Sequence, residues 1–112
     1  MDDYHIIFCT TPDMETARLI AGHLVENKLA ACCNLIPAVE SIYRWQDKIE
    51  QEQEILMLIK STASNYQKIE TAIMDLHPYE IPEIIATPIQ VGSGPYLDWI
   101  KATLKGVVTD GT

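Results

Sequence analysis

Two side chains suited to soft or borderline cations stand at the ends of patterned runs: Cys9 and His77. Cysteine and histidine are good ligands for copper or zinc. The residues alone leave two readings open. Either the pair shares an ion, or Cys9 is a small buried hydrophobe and His77 ends a helix on backbone hydrogen bonds. Cys32 and Cys33 are adjacent, so in a strand they point to opposite faces and cannot act as a CxxC pair. Three cysteines in a short chain also argue against a disulfide framework. His5 and His23 are weaker candidates, one on a strand and one on a helix face. Glu80 and Glu83 flank Pro82 and read as paired carboxylates, as solvation of a loop, or as partners of a neighbouring subunit's lysine or arginine. Tyr43, Arg44, Trp45, Tyr79 and Trp99 offer walls for a cleft. Aromatics with one arginine suit an anionic or planar ligand; the alternative is that they anchor a subunit interface. Catalysis is the least supported chemistry. A Cys–His nucleophile needs contact and an orienting third group, and the chain has no nucleophile elbow, phosphate loop or HExxH.

The elements that must position these residues follow from the patterning. Residues 4–9 are nearly continuously apolar and predict a strand buried on both faces. Thr11, Pro12 and Asp13 predict a helix start, with Thr11 as N-cap and Pro12 in the first helical position. Ala17, Ile20, Ala21, Leu24 and Val25 then recur at helical spacing, and the helix should end within 27–29. A second helix is predicted over 62–76, capped by Thr62, with Tyr66, Ile69, Ile73 and Leu76 inward. It stops at His77 because the residue before a proline avoids the helical region. Residues 83–91 predict a strand in which Pro88 implies an edge or bulge. A short helix follows the turn at 92–95, with Tyr96, Leu97, Ile100 and Leu104 inward. The tail, 106–112, reads as loose.

Between the helices lies a long hairpin, residues 29–60, around a polar turn at Gln46, Asp47 and Lys48. Pro37 marks an edge, a bulge or a bend in its first arm, 30–45. The second arm, 49–61, has neither glycine nor proline, and its residues at about 3.3 Å each span about 43 Å. A compact chain of this size is about 34 Å across, so the arm should overshoot the body. In that arm Glu50, Glu52 and Glu54 fall on one face and Gln51 and Gln53 on the other. The polar half reads as the overshoot and residues 55–59 as the buried half. An apolar ribbon that projects needs cover from another chain, which predicts an oligomer.

The order is β-α-β-β-α-β plus a terminal helix. That is an α+β, ferredoxin-like split β-α-β fold with a long central hairpin and a C-terminal helix, one domain over 1–112. The net charge is −8, from 16 acidic and 8 basic residues with no basic cluster. A phosphate-tracking nucleic-acid binder needs a basic face, so no nucleic-acid partner is expected. No apolar run is long enough to span a bilayer, so no membrane partner is expected either. The acidic N-terminus lacks a basic n-region, which points to the cytoplasm.

Several separate blocks, in order, resemble one family. They are Cys9-Thr10-Thr11-Pro12-Asp13, Leu29-Ala30-Ala31-Cys32, Ile42-Tyr43-Arg44-Trp45, Glu52-Gln53-Glu54, residues 77–83 (HPYEIPE) and Tyr96-Leu97-Asp98-Trp99. Together they resemble the CutA divalent-cation-tolerance proteins over nearly the whole chain, residues 6–105. The resemblance implies a tight homotrimer with interlocking hairpins, similar in architecture to PII signal proteins. It also implies binding of copper or another divalent cation, with Cys9 and His77 as the metal contact positions. Leu76 stands where some members carry a further histidine, which implies fewer ligands here. The function expected is a non-enzymatic, homotrimeric copper-binding protein of cation tolerance. The alternative is a trimeric scaffold or a PII-like small-ligand signalling protein.

Overall fold

The computed structural model describes residues 3–105. Eight strand residues, β1 (Tyr4–Thr11), lead into helix α1 (Met14–Glu26). The long hairpin follows as β2 (Cys32–Trp45) and β3 (Lys48–Thr62), then α2 (Tyr66–Leu76), β4 (Ile84–Pro88) and α3 (Gly94–Lys105). The four strands form one sheet in the order β2-β3-β1-β4, with every neighbouring pair antiparallel. This is the α+β, ferredoxin-like arrangement expected, with the predicted terminal helix.

Alternation along the strands decides which side chains meet the helices. Ile7 and Cys9 of β1 face Ile59 and Met57 of β3 across the ladder. All four are fully buried with Ala17, Ile20 and Leu24 of α1 and Ile69 and Ile73 of α2. Ile6 and Phe8 point to the opposite face and are only half-buried, so the first strand is closed on one side rather than two. The run at 55–59 behaves the same way, with Ile55, Met57 and Ile59 buried and Leu56 and Leu58 half-buried. On that second face α3 packs near β3. Its Ile100 is fully buried, while Tyr96 stays exposed, with the Lys60 ammonium 5.9 Å from its ring centroid. Tyr96 is therefore not the inward residue its helical spacing predicted.

Local chemistry moves several boundaries. Asp13, not Thr11, caps α1: it directly precedes the helix and its carboxylate accepts the Thr16 N–H at 2.8 Å. That bond also holds the Asp13 carboxyl below its usual range. Thr11 instead closes β1, its hydroxyl donating to the Asp13 carbonyl, and Pro12 lies between strand and helix. A 3-10 turn, Ala63–Asn65, precedes α2, so the regular helix starts at Tyr66 rather than at Thr62. β4 is shorter than the predicted 83–91. Its Pro88 sits on an edge strand, where the missing N–H costs no ladder bond. The tail at 106–112 lies outside the described residues.

The hairpin turns on two residues, Gln46 and Asp47, both left-handed at φ 51° and 66°. Lys48 already belongs to β3, so the turn is one residue tighter than predicted. Successive left-handed residues match the twist of paired strands. Pro37 and Ala38 form a bulge between the Ile36 and Val39 pairings, with Ala38 at φ 62°. Beyond the Thr11–Ile55 pair β1 stops, and residues 48–54 pair only with β2. That free ribbon runs roughly 23 Å. The chain accordingly measures 52 Å along its longest axis against 27 and 22 Å across.

Candidate functional site

Where β1 ends, α2 also ends, and both deliver a side chain to the same carbonyl. The His77 Nε2 lies 2.7 Å from the Thr10 oxygen, and the Cys9 thiol lies 3.7 Å from that same oxygen. The Tyr79 backbone N–H donates to His77 Nδ1 at 3.1 Å. The imidazole is thus a neutral Nε2–H tautomer with both nitrogens engaged. Cys9 is fully buried. Burial first, and the nearby carboxylates of Glu83 and Glu54 second, push its thiol up to about 12. Cys9 and His77 do converge, but around a backbone oxygen and not around an open point. A metal needs a thiolate and a free imidazole nitrogen, and this conformation supplies neither. A metal held by this pair would have to displace one of those hydrogen bonds and the proton of the thiol. Among the described residues, no group of three or more His, Cys, Asp or Glu side chains could hold a metal ion.

His77 also starts a polar chain leading outward. Its ring lies 4.7 Å from that of Tyr79, centroid to centroid, and the Tyr79 hydroxyl donates to Glu54 at 3.0 Å. Burial and that carboxylate raise the Tyr79 phenol well above its ordinary range. One step along β3, Glu52 accepts from the Tyr43 hydroxyl at 2.8 Å, which pushes that phenol up to about 12. These residues line a cleft of about 880 Å³ where the free hairpin leaves the body. Glu50, Glu52, Glu54, Glu80 and Glu83 line it, Glu40 borders it from the other face of β2, where it accepts from Gln51, and neither lysine nor arginine lines it. Glu54 is only 6% exposed.

The aromatic residues singled out from the sequence divide accordingly. Tyr43, Trp45, Tyr79 and Glu80 line the cleft. Arg44 alternates to the other side of β2, and the cleft is acidic, so it does not suit an anion. Trp99 is on α3, 5.5 Å from Tyr96, and Cys32 opens β2 opposite Lys60. Cys33 faces the helix-covered core, and burial pushes its thiol up to about 12. The residues that sequence reasoning passed over are Thr10, which supplies only a carbonyl, and the glutamates of β3. Their alternation with glutamine was visible. What it lacked was the loop at 78–83 as the opposite wall.

A ferredoxin-like sheet whose central hairpin outruns its helices, with a cleft at the hairpin's root, defines a distinct class of small α+β protein. Within that class the chain belongs to the CutA1 divalent ion tolerance protein family, whose model matches residues 5–103. The divalent-cation tolerance protein CutA of Thermus thermophilus is 46% identical over 96 residues, 86% of this chain and 93% of its own. The crystal structure of CutA from Xylella fastidiosa superposes with a TM-score of 0.89 at 44% identity, covering 91% of this chain and 98% of that one. CutA from Archaeoglobus fulgidus, described as periplasmic, superposes with a TM-score of 0.88 at 37% identity, covering 90% and 98%. No helix among the described residues is long and apolar enough to cross a membrane.

Proposed function

We propose that this chain is a non-enzymatic, homotrimeric cation-binding protein whose cations enter the carboxylate cleft at the root of the hairpin. The observation that carries this reading is five glutamates, Glu50, Glu52, Glu54, Glu80 and Glu83, lining one space that no basic side chain lines. Such a cleft concentrates cations electrostatically. With no three-donor group among the described residues, a divalent ion in one chain keeps much of its water shell, as hard cations readily do. The non-enzymatic part rests on the Cys–His pair. A thiol pushed up to about 12, beside an imidazole with both nitrogens engaged, is not an activated nucleophile.

The trimer is supported by the free ribbon, which leaves Ile42 and Ile49 about two-thirds exposed and Trp45 half-exposed. Free cysteines at 9, 32 and 33 fit a reducing compartment, and we place the protein in the cytoplasm.

Copper at Cys9 and His77 is the second reading, favoured by their shared position on the Thr10 carbonyl. It requires the imidazole to give up one of its hydrogen bonds and the thiol to lose its proton. Calorimetric titration with Mg(II), Zn(II) and Cu(II) separates the two. The cleft reading expects loss of binding in Glu52→Gln plus Glu54→Gln and retention in Cys9→Ser plus His77→Ala. The opposite pattern for Cu(II) assigns copper to the soft pair. No binding of any cation sinks both.

A further inference from the structure

We draw no further inference here: the strongest candidate, the small pocket of about 190 Å³ where Lys101 and Lys105 of α3 stand beside the turn that opens α2, is a helix N-terminus flanked by two exposed lysines, and no buried, unpartnered side chain among the described residues points into it to mark a ligand.

Discussion

His77 spends its whole hydrogen-bonding capacity on backbone, one nitrogen on the Thr10 carbonyl and one on the Tyr79 amide. His77→Ala removes both bonds and leaves the buried Thr10 carbonyl with only the weak Cys9 thiol contact. The expected loss is about 2–4 kcal/mol, measured by urea unfolding. An unchanged midpoint would mean that the imidazole contributes nothing to the fold. Cys9 and Cys33 support a second prediction at this scale. Both thiols ionise at about 12 in the folded chain against an ordinary value of 9.0. Between pH 9 and 12 the unfolded chain therefore binds fewer protons than the folded one. Stability falls as pH rises through that window, by up to about 1.4 kcal/mol per pH unit for each thiol. Below pH 9 these groups add no pH dependence. Cys33→Ala should flatten the alkaline slope between pH 9 and 11 relative to wild type, measured by urea unfolding. Equal slopes would show that Cys33 keeps its ordinary ionisation in the fold.

At the scale of elements, the hairpin turn is the most strained short segment. Gln46 and Asp47 both hold left-handed backbone, which costs a residue with a Cβ roughly 1–2 kcal/mol. Asn-Gly is the preferred pair for two such positions. Gln46→Asn plus Asp47→Gly should raise stability by about 1 kcal/mol, because the relieved strain exceeds the extra unfolded freedom of glycine. Thermal unfolding measures it, and a lowered melting temperature would show that the two side chains make compensating contacts. The helix start offers a contrast. Asp13→Ala should cost about 1 kcal/mol through the lost cap, whereas Thr11→Ala should leave the cap intact. Composition alone put the cap on Thr11, because both residues are good caps and Pro12 favours the first helical position. Only the strand's length, ending at Thr11, moved it.

For the whole molecule, the free ribbon is the feature with consequences. It carries Ile42, Tyr43, Trp45 and Ile49 out beyond β1, where they stay partly or largely exposed among the described residues. Light scattering should give a trimer at micromolar concentration, and a monomer there would remove the proposed assembly. Trp45→Ala should weaken that assembly while leaving far-UV circular dichroism nearly unchanged. Complete burial of a tryptophan is worth about 3–5 kcal/mol on truncation. A trimer with the wild-type melting temperature would make Trp45 ordinary surface. Because assembly adds to stability by mass action, the melting temperature of the wild type should rise with protein concentration.

By itself the sequence determined what depends on periodicity and chain chemistry. Alternation and helical spacing fixed the element order. The uninterrupted second arm showed that the hairpin outreaches the body, and Pro37 and Pro88 each marked an edge or an irregularity, which the structure resolves into a bulge and an edge strand. Cys9 and His77 were paired by the family resemblance, while their residue types and element ends, which are local facts, only made the pairing plausible. Only the tertiary structure decided what that pair does. The approach of α2 to β1 brings the Thr10 carbonyl between them, and no sequence pattern encodes which backbone oxygen an imidazole will meet. The cleft was likewise invisible. Its glutamates alternate openly along β3, yet their second wall comes from the loop at 78–83, and the packing of α2 against the sheet sets that distance. Long-range packing, not local preference, turned a solvated row of carboxylates into one wall of a cleft.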